Sequence, residues 1–239
     1  MGMLARVPRL ERVTIIAMIA AATLLLAFAK LATEVFEGNT RAFDQWLLLA
    51  LRVPDNTADR IGPAWFEEMM RDFTALGSTG VLTVVVLSVV GFLITTEKRH
   101  AATMIVLSVA GAVLISTLFK IGFARPRPDL VPHGTVVSTA SFPSGHSMMS
   151  AVVYLTLGTL LSRTQPGQRV KVYVLVVAVA LTFLVGVSRV HLGVHWPSDV
   201  LAGWWLGSAW ALLCWLVMLW LQSRGSVEDE SSIGVAGDP

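Results

Sequence analysis

Two histidines and a carboxylate stand four apart in the stretch SRVHLGVHWPSD, residues 188–199: His191, His195 and Asp199. On one continuous helix that spacing would put three metal ligands on a single face. Gly193 and Pro197 interrupt any such helix, and Arg189 beside them would repel a cation. The stretch suits another chemistry. A neutral imidazole can attack phosphorus and split one difficult displacement into two easier ones. A carboxylate bonded to its other nitrogen fixes the tautomer and steadies the imidazolium that forms. His195 and Asp199 are the expected pair, and no metal or other cofactor is expected.

Two more polar clusters fit that chemistry. KIGFARPRP, residues 120–128, carries Lys120, Arg125 and Arg127. FPSGHS, residues 142–147, reads as a helix start with Pro143 in its first turn. Ser144 and Gly145 would then offer free backbone N–H groups at the positive end of that helix, and Gly145 would let an oxygen come close. Lys120, Arg127 and Arg189 add three cations. Arginine matches phosphate oxygens two at a time, and lysine supplies a point charge. Together they describe a site for a dianion, most simply phosphate. One such cation alone would read as a side chain snorkelling to lipid headgroups. His146 is the candidate acid for the leaving oxygen, and later the base for the water that breaks the intermediate.

The elements that must carry these residues are apolar. Of 239 residues, 54% are hydrophobic and 14% charged, against about 25% charged in soluble domains. Six runs, at 13–29, 81–95, 101–119, 147–161, 172–187 and 200–221, approach or reach the length that crosses about 30 Å of hydrocarbon as a helix. The expected fold is all-α, a polytopic bundle of six transmembrane helices forming one domain over 1–222. Residues 223–239, with Glu228, Asp229 and Glu230 together, are expected to be a disordered polar tail. The first run ends Ala27-Phe28-Ala29, a sequence a signal peptidase could accept. It is long for a signal, and further spans follow, so an uncleaved first helix is expected. Cys214 is the sole cysteine, which excludes a disulfide within the chain. A net charge of +2 argues against nucleic acid as a partner. The oligomeric state is not legible.

Loop charge sets the orientation. Arg6, Arg9 and Arg12, then Lys98 and Arg99, then Arg163, Arg169 and Lys171 mark the cytoplasmic side. The long acidic loop at 30–78 belongs outside. Within it, Trp65, Met69 and Phe73 fall four apart, with Phe66 and Met70 alongside, and predict a short interfacial or capping helix with one apolar face. Six spans then bring all three polar clusters to the outer face. Lys120, Arg125, Arg127 and Arg189 break the charge rule there, which is itself a sign of a separate purpose.

Three signatures follow in order: K-x6-R-P in Lys120, Arg127 and Pro128; P-S-G-H in residues 143–146; and S-R-x5-H-x3-D in Ser188, Arg189, His195 and Asp199. Together they resemble the type 2 phosphatidic acid phosphatase family, the lipid phosphate phosphatases related to vanadium haloperoxidases. The resemblance implies a metal-independent membrane phosphatase of the bacterial plasma membrane, with its site on the outer face. It implies phosphate binding by Lys120, Arg127, Ser144, Gly145 and Arg189. His146 would be the acid and His195 the nucleophile, oriented by Asp199. Ser188 receives no chemical role, and His191 is expected to pack near the pocket. Arg125, Asp129 and His133 are expected to be solvated loop residues. Among the family's lipid phosphates, undecaprenyl diphosphate is the favoured substrate. Phosphatidate, phosphatidylglycerol phosphate and lipid A phosphates stay open. The alternatives are a non-catalytic lipid-phosphate binder or transporter, and a haloperoxidase-like oxidant using vanadate.

Overall fold

The computed structural model describes residues 9–134 and 139–224. Among them are eight helices and one small ribbon: α1 (Arg9–Phe36), α2 (Arg41–Leu49), β1 (Arg52–Val53), β2 (Asn56–Arg60), α3 (Ala64–Leu76), α4 (Thr79–Thr95), α5 (Arg99–Phe123), α6 (Gly145–Thr164), α7 (Gln168–His191) and α8 (Pro197–Ser223). All six apolar runs are helical. By length and hydropathy, α1, α5, α7 and α8 can each cross a membrane, and α3 with α4, bent by 48° at their junction, makes a fifth candidate. The remaining run, at 147–161 in α6, falls short of that hydropathy because Ser147, Ser150, Thr156, Thr159 and Ser162 lie along the helix. It can carry them because α7 and α8 pack on it from end to end.

Small residues set that packing. A Cβ on Gly203 would sit 2.7 Å from the Ser144 carbonyl oxygen, and one on Gly207 only 2.5 Å from that of Met148. The G-x-x-x-G spacing therefore brings the α8 backbone directly onto α6, as small residues do between membrane helices. Phe142, Met148, Val152, Ala202 and Leu206 form the core there, with Phe28 of α1 and Ala112 of α5.

The helix starts are built locally. Ser78 caps α4 by accepting from the Val81 N–H, and Ser144 caps α6 in the same way. Pro197 opens α8, where its missing N–H costs nothing. Between α7 and α8 the chain turns at Gly193, with φ +73°; a Cβ there would also stand 2.7 Å from Val131 Cγ2. Only glycine fits both conditions. His191, His195 and Asp199 thus do not share one helix.

The first loop differs from expectation. It holds α2 and an antiparallel ribbon, β1 with β2, that the sequence pattern did not signal. Its helix α3 forms where expected and buries Met70 of the expected face, but it also buries Thr74 and leaves Trp65 exposed. Packing on α7 explains the rotation of the face, because Thr74 accepts a hydrogen bond from Arg189. The expected tail begins inside α8, whose last residue is Ser223. Residues 225–239 of that tail, and Arg6, lie outside the described residues.

Candidate active site

The C-terminal ends of α5 and α7 and the N-terminal ends of α6 and α8 meet at one end of the bundle. A cavity of about 720 Å³ opens there, lined by Lys120, Arg127, Gly145, His146, Arg189 and His195 among others. Among the described residues, no carboxylate lines it. Three cations and two imidazoles around a space without an anion of their own are suited to hold one.

Each cation is anchored by neighbouring groups and leaves at least one N–H over. Lys120 Nζ donates to the Ala140 carbonyl at 2.6 Å. Arg127 donates to the Thr139 carbonyl at 2.8 Å, the Val194 carbonyl at 2.6 Å and the Thr139 hydroxyl at 3.2 Å. Arg189, in the last turn of α7, donates to Thr74 Oγ1 at 2.8 Å, while its buried Nε has no partner among the described residues. Burial holds the Arg127 pKa below the usual arginine value, and Asp199 opposes the shift.

His195 stands between the cavity and Asp199. Its Nε2 lies 3.1 Å from Arg127 Nη1. A guanidinium only donates, so Nε2 must be the acceptor and Nδ1 carries the proton. That Nδ1 faces Asp199 Oδ2 at 3.4 Å and Ser141 Oγ at 3.3 Å. Burial is the main force pushing the His195 pKa down to about 3; Asp199 opposes it, and Arg127 and Arg189 reinforce it. The ring is therefore neutral, with its unprotonated nitrogen on the cavity side.

Asp199 does not line the cavity. It is wholly buried and collects donors behind His195. Its Oδ2 accepts from the Trp196 N–H at 2.9 Å and from the Ser141 hydroxyl, and its Oδ1 accepts from Arg125 Nη1 at 2.5 Å. As the third residue of α8 it also closes the helix start, the reciprocal half of a capping box. The other Arg125 terminus pairs with Asp44 of α2 at 2.7 Å. Asp44, 1% exposed, accepts in turn from the Ser198 N–H at 2.8 Å and hydroxyl at 2.7 Å.

Two readings from sequence need correction here. Arg125 is not a solvated loop residue; it bridges two buried carboxylates, because the α2 segment folds back over it. Ser144 offers no free N–H to the cavity. Its N–H donates to the Asp199 carbonyl at 3.0 Å, and its hydroxyl accepts from Ser147 Oγ at 2.9 Å. Pro143 precedes this cap rather than opening the helix. The first N–H groups of a helix have no partner within it, which leaves Gly145 and His146 at the cavity wall. A Cβ on Gly145 would project between Lys120 Cε at 3.7 Å and Ser116 Oγ at 3.9 Å.

Other residues fall into place nearby. His191 points elsewhere: its Nε2 lies 3.4 Å from the Ile61 carbonyl and its ring packs edge-on to Phe66 at 5.2 Å. His133 Nε2 lies 2.7 Å from the Pro128 carbonyl. The Ser188 hydroxyl donates to the Val185 carbonyl within α7. Asp44, Thr74, Thr139 and Ser141 were not singled out from sequence. None stands at a fixed spacing from a recognised residue, and only the fold brings them near.

From the cavity's polar end an apolar channel runs between α4 and α5. Leu82, Val86 and Leu87 wall it on one side, and Val109 and Val113 on the other. Leu87 and Val113 are exposed on the outside of the bundle, so the channel meets the lipid-facing surface.

The chain is similar to proteins already known. The family model of the PAP2 superfamily matches residues 101–223. Phosphatidylglycerophosphatase B of Bacillus subtilis is 31% identical over 186 residues, 77% of this chain and 88% of that protein. An undecaprenyl-diphosphatase of Sulfolobus acidocaldarius is 31% identical over 48% of this chain and 54% of its own length. The crystal structure of a transmembrane PAP2-type phosphatidylglycerolphosphate phosphatase from Bacillus subtilis superposes with a TM-score of 0.76 at 29% identity. That match covers 84% of this chain and 96% of the other.

Proposed function

The chain belongs to the PAP2 superfamily and is a membrane lipid phosphatase, and we propose that it cleaves phosphate from a lipid phosphate through a phosphohistidine at His195. The observation that carries this is the carboxylate-free cavity with three cations, toward which His195 turns an unprotonated Nε2. Lys120, Arg127, Arg189 and the N-terminus of α6 at Gly145 hold the phosphoryl oxygens. Nε2 attacks phosphorus as the bond to the lipid oxygen breaks, and His146 protonates that oxygen. Asp199 steadies the positive ring. Water, relieved of its proton by His146, then attacks phosphorus and frees His195. Ser144 acts indirectly, by fixing the start of α6.

The lipid chain lies in the channel between α4 and α5. The bundle crosses the membrane six times, with α6 shielded in its centre. The helices from α1 to α8 form one domain, and the catalytic cavity faces outward. No metal takes part.

Phosphatidylglycerol phosphate is the substrate we favour, because the likeness to a phosphatidylglycerophosphatase extends over most of both chains. Undecaprenyl diphosphate, favoured from sequence, is the second reading, supported by a likeness over about half of each chain. Purified protein should be tested in EDTA against both lipids, phosphatidate and lipid A phosphates. Fastest release from phosphatidylglycerol phosphate is expected. Fastest release from undecaprenyl diphosphate would select the second reading, and activity lost in EDTA but restored by zinc would overturn the metal-free mechanism.

A further inference from the structure

A second cavity, of about 430 Å³, lies at the opposite end of the bundle and shares no lining residue with the first. It is walled by the N-terminal halves of α1 and α5 and the C-terminal halves of α6 and α8. Its volume falls within the range of roughly 300–1,000 Å³ found for ligand sites. The wall is mostly apolar, but two of the residues that line it carry a buried polar atom with no hydrogen-bond partner among the described residues: Thr156 Oγ1 and Trp215 Nε1. Ser108 is 2% exposed and has the thiol of Cys214 beside it, a weak partner at best. Buried polar groups are nearly always paired, so the Thr156 hydroxyl and the Trp215 N–H, with the weakly paired Ser108 beside them, call for a ligand that brings oxygen acceptors to this wall.

The rim says what else the ligand carries. Arg163 stacks its guanidinium over the Trp215 ring at 5.3 Å. Arg12, Lys98, Arg99, Arg169, Lys171 and Arg224 stand at the same ends of the helices, against Glu11 and Glu97 among the described residues. Such clustered cations attract anionic headgroups.

We propose that this cavity binds an anionic phospholipid. One acyl chain fills the apolar part, ester carbonyl oxygens accept from the Trp215 N–H and the Thr156 and Ser108 hydroxyls, and the phosphate meets Arg163. The lipid is not a substrate, since it lies at the far end from His195. It braces α1, α5, α6 and α8, three of which carry catalytic-end residues.

The test uses full-length protein in detergent with His195→Gln, so that nothing turns over. Dioleoyl phosphatidylglycerol or dioleoyl phosphatidylcholine is titrated, and Tm and bound lipid by native mass spectrometry are read. Phosphatidylglycerol should bind at least fivefold tighter and raise Tm. Adding Ala211→Phe, which fills the cavity, should abolish the effect; adding Arg163→Gln should remove the preference; adding Lys120→Gln in the other cavity should change neither. Equal binding of both lipids overturns the proposal, as does a response that survives Ala211→Phe or is lost in Lys120→Gln. If Ala211→Phe does not fold, Arg163→Gln decides: an unchanged preference overturns it.

Discussion

His195 is set up by the residues around it rather than by its own identity. Arg127 supplies a donor that excludes a proton from Nε2, and burial keeps the ring neutral. The consequence for stability has a definite sign. The unfolded ring titrates near 6.5 and the folded ring near 3. Below about pH 6.5 the unfolded chain takes up a proton that the folded protein refuses, so stability is complete above that pH and falls toward pH 3. The limiting slope for one proton is about 1.4 kcal/mol per pH unit. Thermal unfolding should therefore show a larger drop from pH 7.5 to 5 in the wild type than in His195→Gln; equal drops would contradict a neutral buried ring. Arg125 offers a second test. Removing one partner from a buried ion pair costs about 3–5 kcal/mol, and here Asp44 and Asp199 would both lose theirs. Arg125→Met should destabilise by that order. Combining it with Asp44→Asn should cost less than the sum, as denaturant melts would show. Asp44 lies far from any signature, so its pairing could not be read from spacing, whereas the His195 and Asp199 pair could.

At the scale of elements, the channel between α4 and α5 makes a prediction about chain length. Val113 is 51% exposed, so a bulky substitution should not upset packing. Val113→Trp should narrow the entrance, raising KM at least fivefold for a long-chain lipid phosphate while leaving a short-chain, water-soluble phosphate unaffected. Equal effects on both would place the lipid elsewhere. Element identity was legible where apolar runs are long: all six helices lie where hydropathy places them. The α2 segment and its ribbon were not legible, because short polar elements take their shape from what they cover. The face of α3 was legible at Met70 but misread at Trp65 and Thr74, for the same reason. The pattern weighs Trp65 as apolar, but the fold needs Thr74 turned inward to meet Arg189.

For the whole molecule, the bundle resolves an apparent conflict in its charges. Loop cations at the ends near Lys98, Arg163 and Lys171 follow the rule for a cytoplasmic face. Lys120, Arg127 and Arg189 break it at the other end, and the fold gathers those three around one cavity. Convergence of the three signatures could be foreseen from the parity of the spans alone. The depth of the cavity, its lack of a carboxylate and the network behind Asp199 could not, since they depend on how α6 and α8 close on each other through Gly203 and Gly207.

The central claim is covalent catalysis by His195. In His146→Ala, a substrate with a good leaving group such as p-nitrophenyl phosphate needs little protonation, while the intermediate lacks its base, so hydrolysis should slow by about 10²–10⁴-fold. Rapid quench into alkali followed by mass spectrometry should then find one phosphoryl group per chain, attached to His195. Phosphate on any other residue, or turnover persisting in His195→Gln, would contradict the account.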